Sequence, residues 1–262
     1  MITMVKIGGS LITDKQHSRS FRQEVAERLA QEVRAALDEL PFPLILGHGS
    51  GSFGHFEARE HGTAQGVSTP EQWRGFARVA MAAAELNHLM AQIMQAVGLP
   101  VMRFQPSASA QARGGAIQSM TLKPLEQALD HGLVPLVYGD VGFDEVQGGA
   151  ILSTEQVFTF LARHLNVSRI VILGEVDGVY DLDRRVIPTI TPENYEAIRP
   201  ALGGSAGVDV TGGMLTKVSD MLALAQQKRG LRIYIINGLV PGRLQEALTQ
   251  SGGWTSGTLI HA

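Results

Sequence analysis

The sequence predicts an α/β fold with a mostly parallel central sheet, and three observations carry that prediction. Short apolar runs rich in β-branched residues alternate with helix-period patterns through the 262 residues. Several of these runs lack polar alternation, which suits strands buried on both faces of a parallel sheet with right-handed helical crossovers. The richest glycine segment, GHGSGSFGH at 47 to 55, directly follows the apolar run PFPLIL, where such a fold presents backbone N–H groups to an anion.

The elements follow in order. The first strand-like run is MVKIGG (4 to 9), followed by a helical pattern over 20 to 38, by PLILGH (43 to 48) and by a long helical pattern over 71 to 97. LPVMRF (99 to 104), a helix over 121 to 131 and LVPLVYGD (133 to 140) come next. A helix over 154 to 165, RIVILGEV (169 to 176), a helix over 213 to 229, RIYIING (232 to 238) and a helix over 241 to 249 complete the alternation. VGFDEVQGGAIL (141 to 152) reads as a hairpin turning at Gly148-Gly149, beside the carboxyl end of a strand, where ligands bind in open α/β sheets. Residues 177 to 208, with Pro188, Pro192, Pro200 and a GGSAG run, read as loops and short helices over a nucleotide. A division into lobes 1–165 and 166–262 would leave the sheet continuous across the boundary.

Composition excludes several classes of function. The 22 Lys and Arg against 25 Asp and Glu leave a net charge of −3, so no global positive field holds nucleic acid or anionic lipid. With no cysteine there are no disulfides, thiol catalysis or thiolate metal sites, which fits a reducing compartment. The opening MITMVKIGGS enters a strand pattern without a secretory-leader signature, and no apolar run approaches membrane-spanning length. A cytoplasmic protein with neither nucleic-acid nor membrane partner is expected.

Three glycine loops suggest more than one bound phosphate. KIGGSLITDK (6 to 15) and DVTGGMLTK (209 to 217) join GHGSGSFGH, and the first and last carry lysines beside their glycines. GSGSFG matches the dinucleotide pattern G-x-G-x-x-G, but a Rossmann unit needs a helix straight after the glycines and an acid about 20 residues on. Here HFEAREHGTAQGVSTP delays the next clear helix, and Glu71 lies inside it. No Walker-type G-x-x-x-x-G-K-[ST] occurs. Phosphoryl transfer asks chiefly for positive charge and oriented donors around the moving group, which Lys6, Lys15 and Lys217 beside Gly8, Gly9, Gly212 and Gly213 could supply. His48 and His61 read as structural or solvated, and no metal-ligating residues are expected.

These motifs together resemble the amino acid kinase superfamily over essentially the full chain, and within it the isopentenyl phosphate kinase branch. The marks are Lys6 to Lys15, Gly49 to His55, Gly139-Asp140 ahead of the hairpin, Val176 to Tyr180, and Thr211 to Lys217, in that order and spacing. The resemblance implies an open αβα sandwich with isopentenyl phosphate in the N-terminal half, ATP in the C-terminal half, Mg²⁺ as cofactor and a homodimer. It implies that Lys6 and Lys217 flank the transferred phosphoryl, that Lys15 holds phosphates, and that His55 bonds the acceptor's phosphate. Gly8, Gly9, Ser10, Gly49, Ser50, Gly51, Gly54, Gly139 and Asp140 would line the acceptor, while Lys6, Gly8, Ser10, Glu175, Asp177, Gly178, Tyr180, Gly212, Gly213 and Lys217 would meet the nucleotide. A capping histidine at 55, a surface lysine at 217 and plain turn residues in VDGVYD are the competing readings.

An alkyl phosphate is already a nucleophile at neutral pH, so the acceptor needs a donor to position it rather than a general base, and protonated His55 suits that. The chain departs from the branch's pattern at Ser153-Thr154-Glu155-Gln156, where Ser-Gly-Asp-Asp is usual, which makes Glu155 the carboxylate expected to organise the lysines. It departs again at Gly174-Glu175, where Thr-Asp is common. The helix over 71 to 97 carries an apolar face, mostly core, whose members Phe76, Val79, Ala80 and Ala83 are chosen with Ile151 as a small isoprenoid pocket. The expected activity is therefore ATP-dependent phosphorylation of isopentenyl phosphate to the diphosphate. Alternatives are a fosfomycin kinase-like phosphonate kinase and a nucleotide-binding regulatory module without turnover.

Overall fold

The computed structural model describes residues 1–14, 16–202, 213–250 and 256–262. Strand β1 (Ile2–Ile7) leads into the single turn α1 (Gly9–Ile12), α2 (Gln23–Glu39) and β2 (Leu44–His48). α3 (Gly51–Glu60) and α4 (Pro70–Ala96) follow, then β3 (Val101–Arg103), the pair β4 (Ala110–Arg113) and β5 (Ala116–Met120), and α5 (Lys123–Asp130). β6 (Val134–Tyr138) runs into the hairpin β7 (Asp140–Asp144) and β8 (Gly148–Leu152), followed by α6 (Thr154–His164) and β9 (Val167–Gly174). β10 (Thr189–Ile190), α7 (Pro192–Leu202), α8 (Gly213–Gln227), β11 (Arg232–Asn237), α9 (Arg243–Thr249) and β12 (Thr258–Ile260) complete the chain.

The central sheet has eight strands in the order β10-β12-β11-β9-β1-β2-β6-β3, parallel throughout except where β12 runs antiparallel to β11. The strands that come first in the chain, β1, β2, β3 and β6, occupy one half of the sheet, and β9 to β12 occupy the other. Helices cover both faces. One core joins Val5, Ile7, Leu44 and Leu46 to α2, α4 and α9. The other joins Met4, Ile45 and Ile170 to α5, α6 and α8. Because side chains alternate along a strand, Lys6 shares the face of Met4 and His48 shares that of Leu44 and Leu46. The two residues therefore leave the carboxyl ends of neighbouring strands in opposite directions.

Capping fixes the start of the two helices that frame the site. Thr69 and Gln72 make a reciprocal capping box at α4, with Pro70 in its first turn, and Ser153 and Gln156 do the same at α6. In the buried seam between α2 and α9, Glu32 accepts from the Leu244 N–H at 2.9 Å and from Arg28 at 2.5 Å.

The structure corrects three expectations. A helix, α3, does start at once after the glycines, so a delayed helix is not what separates this chain from a Rossmann unit. The topology does: β2 pairs with β1 and β6, and the next strand, β3, lies beyond β6. Gly148 and Gly149 open β8 rather than forming the turn, which falls at 145 to 147. Gly148 takes φ +77°, and a Cβ there would run into the Val67 backbone carbonyl. The region 105 to 120 also holds structure the sequence did not suggest. β4 and β5 form a second hairpin that joins the first in a four-stranded sheet, β5-β4-β7-β8.

Candidate active site

The first glycine loop and the second are interlocked at the backbone level. A Cβ on Gly9 would lie 2.6 Å from the Gly51 nitrogen and 2.7 Å from its Cα, and one on Gly49 would lie 3.0 Å from the Gly9 nitrogen. Gly8 is equally confined, 2.7 Å from the Leu173 carbonyl oxygen. Thr13 ties the loops together, donating to the Gly9 carbonyl at 2.7 Å and accepting from the Ser52 N–H at 2.9 Å. Gly51 sits at φ +50° against that threonine. Two chain turns thus approach as closely as glycine allows, at the carboxyl edge of β1 and β2, where α3 points its N-terminus.

Lys6 and Lys217 meet on one carboxylate. Lys6, almost fully buried near the end of β1, is in direct contact with Glu155 Oε1. Lys217, on the first turns of α8, stands 3.9 Å from the same oxygen. Burial pushes the Glu155 carboxyl up, but the charges of Lys6 and Lys217 outweigh it, and the carboxyl is held below the ordinary glutamate range. Glu155 lies in the first turn of α6, so the box formed by Ser153 and Gln156 also fixes the position from which it reaches the lysines. Two ammonium groups thus meet on one carboxylate, and the Asp220 carboxyl, raised by its own burial and by the charge of Glu155, lies near them.

His55 is exposed on α3, one turn after the interlocked glycines. Gly54 packs against Ser50, where a Cβ would approach the serine side chain to 2.6 Å. Gly139 lies under the second loop, its Cβ position 3.4 Å from the Ser50 nitrogen and 3.2 Å from Thr154 Oγ1. Asp140 is buried, and its Oδ2 accepts from the Ser107 N–H at 3.0 Å. Burial raises its carboxyl pKa. Of the chosen tail residues, Phe76, Val79, Ala80 and Ile151 fall in one small apolar cluster with Val67, Trp73 and Val141. Ala83 is fully buried further along α4.

On the other half of the sheet, Asp177 accepts from Asn237 at 3.0 Å and from the Tyr180 hydroxyl at 3.3 Å. A Cβ on Gly178 would meet Thr258 and Val186 at 2.7 Å. Arg22 donates to the Ser10 carbonyl at 3.2 Å and to Glu175 at 3.3 Å, linking α1 to the end of β9. Gly213 starts α8 at φ +67°. Lys15 and Gly212 lie outside the described residues. Thr13, Arg22 and Asn87 support these loops and were not singled out from the sequence, and His48, read there as structural or solvated, is buried and supports them too. Thr13 stands within the opening motif, and Asn87 is a polar residue on the apolar stripe of α4, so both left a trace there.

A fold with glycine loops interlocked at the edge of a parallel sheet, and two lysines on one carboxylate, defines a phosphate-handling protein. The chain belongs to the amino acid kinase family, whose model matches residues 1–237. It is 32% identical to an isopentenyl phosphate kinase of Methanothermobacter thermautotrophicus over 94% of both chains. Against an isopentenyl phosphate kinase of Haloferax volcanii the identity is 35% over 85% of this chain and 88% of the relative. A solved isopentenyl phosphate kinase superposes with a TM-score of 0.83 at 28% identity, covering 99% of this chain and all of that one.

Proposed function

We propose that this chain is an ATP-dependent kinase that converts isopentenyl phosphate to isopentenyl diphosphate. The observation that carries the reading is the Lys6–Glu155–Lys217 arrangement beside the interlocked glycine loops. An oxygen of the acceptor phosphate attacks the γ-phosphorus of ATP as the bond to the β–γ bridging oxygen breaks, and ADP leaves with that oxygen. Lys6 and Lys217 flank the phosphoryl in flight and offset its charge, and Lys15 adds a cation from the first loop. His55 and the N–H groups of Gly9, Ser10, Ser50 and Gly51 hold the acceptor's phosphate in line, while Gly8, Gly49 and Gly54, whose N–H groups bond the carbonyls of Leu173, Ile7 and Ser50, give it room to approach, so positioning stands in for a general base.

The acceptor occupies the half formed by residues 1–165 and the nucleotide the half formed by 166–262. Glu175, Asp177, Gly178, Tyr180, Gly212 and Gly213 would lie on the nucleotide side. The cluster of Phe76, Val79, Ala80 and Ile151, with Ala83 behind it, receives the alkyl tail, and an apolar lining suits an isoprenoid better than a small polar phosphonate.

Magnesium would arrive with the nucleotide. The donor set at Glu155 is one carboxylate between two ammonium groups, which is no cage for a hard dication, and the three-donor group found among the described residues, Glu57, Glu60 and His61, lies at the end of α3 instead. No helix among the described residues is long and apolar enough to cross a membrane. The enzyme works as a cytoplasmic homodimer. Incubation with Mg·ATP and isopentenyl phosphate tests the reading: ADP and isopentenyl diphosphate should accumulate in equal amounts. Transfer to another acceptor with none to this one would overturn it.

A further inference from the structure

His48 lies one residue before the second glycine loop and is fully buried, yet no step of the reaction uses it. Both ring nitrogens are engaged. Nδ1 is 3.0 Å from the carbonyl oxygen of Gly49, and Nε2 is 3.0 Å from Asn87 Nδ2 on α4. A carbonyl only accepts, so Nδ1 carries the proton; Nε2 is then a lone pair, and the amide of Asn87 must present its NH₂ to it. One tautomer satisfies every partner. Tyr138 stacks on one face of the ring at 5.8 Å with an interplanar angle of 10°. Burial pushes the imidazole pKa down to about 4, so the ring is neutral at physiological pH.

The consequence falls on the loop. The His48 carbonyl accepts from the Gly139 N–H at 3.0 Å and from the Thr154 hydroxyl at 2.6 Å, and the Gly49 N–H donates to Ile7 at 3.1 Å. The next peptide is planar and trans, so holding the Gly49 carbonyl on the imidazole turns the Ser50 N–H to the opposite side, out of the His48–Asn87 pocket. We infer that His48, held by Asn87, is a positioning residue that locks the Gly49–Ser50 peptide with its N–H aimed at the acceptor's phosphate. This rests on the acceptor site assigned above.

Two substitutions separate the ring's two bonds. In His48→Asn the side-chain amide falls where Nδ1 stood and can still donate to Gly49; in His48→Gln it falls where Nε2 stood and cannot. His48→Asn should keep KM for isopentenyl phosphate within about threefold of wild type, whereas His48→Gln should raise it at least tenfold. KM for ATP should stay unchanged in both, and both should lose similar thermal stability. A merely structural histidine would make the two variants alike in KM, and that result overturns the inference. Should His48→Gln not fold, ¹⁵N chemical shifts of the ring in wild type decide the point: a protonated Nδ1 with a bare Nε2 is expected, and the reverse tautomer overturns it. Wild-type turnover of isopentenyl phosphate is the control, because its absence sinks the functional reading and leaves the tautomer measurement standing.

Discussion

Glu155 and Lys217 stand 3.9 Å apart, the looser side of an arrangement whose tighter side is the contact of the same carboxylate oxygen with Lys6. The tighter contact is made by the buried lysine of β1 and the looser one by the more exposed lysine of α8. Glutamate reaches from α6 to β1 with one methylene more than aspartate has, so the longer acid spans the gap between the helices and the sheet.

Removing that charge should slow transfer. Glu155→Gln removes the charge of the carboxylate on which both ammonium groups meet, and kcat should fall at least tenfold, about 1.4 kcal/mol in barrier. Steady-state kinetics with both substrates varied checks this, with smaller changes expected in KM. Glu155→Asp should recover part of the loss, since it restores the charge but not the reach.

The interlocked glycines predict a sharp contrast between two alanine substitutions. In Gly9→Ala the new methyl meets Gly51 backbone at 2.6 and 2.7 Å, and backbone cannot step aside as a flexible side chain can. Turnover should be lost. Gly174→Ala, whose nearest neighbours lie 4.0 Å away, should keep near-normal kcat and thermal midpoint. Equal effects of the two would remove the claim that loop contact shapes the site.

Acid stability should depend on Asp144, which accepts from the N–H groups of Gly114, Gly115, Val146 and Gln147 at 2.7 to 3.1 Å and so staples the turns of both hairpins together. Burial pushes its carboxyl up, but the four backbone bonds outweigh it and bring the pKa down to about 2 from 3.8. A folded pKa below the unfolded one means stabilisation that is complete above the unfolded value and is lost as pH falls from about 4 through about 2. Melting temperatures measured across that range should drop, and Asp144→Asn should be less stable near neutrality with a flatter acid limb.

Much of this fold was legible because the strands of the central sheet are short, apolar and set apart by helical periods, as in RIVILGEV and RIYIING. The hairpin of β4 and β5 was not. Its strands are only four and five residues long, and the inward side of β4 is two alanines, Ala110 and Ala112, alternating with Gln111 and Arg113, too slight an apolar face to announce a strand; its turn is anchored by Asp144, about 30 residues away in sequence. α3 was hidden for a related reason. GSFGH has poor intrinsic helix propensity, and the turn is held from outside by Thr13. Lys6 and Lys217 announced themselves through the glycines beside them. The roles of His48 and Asn87 could not be read in advance, because a histidine ending a strand shows neither its tautomer nor its partner until the fold brings α4 across it.

Two variants test the assignment of the cations. Lys217→Ala and His55→Ala should each reduce turnover at least tenfold with folding intact by circular dichroism. Near-normal activity in both would remove these residues from the mechanism.

The most direct test of the central claim is a ranking of kcat/KM for isopentenyl phosphate, dimethylallyl phosphate, fosfomycin and uridylate with Mg·ATP, following ADP release together with the mass of each product. Isopentenyl phosphate should rank first, giving isopentenyl diphosphate in amounts equal to ADP. Turnover of fosfomycin alone, or nucleotide binding with no turnover of any acceptor, would contradict the account.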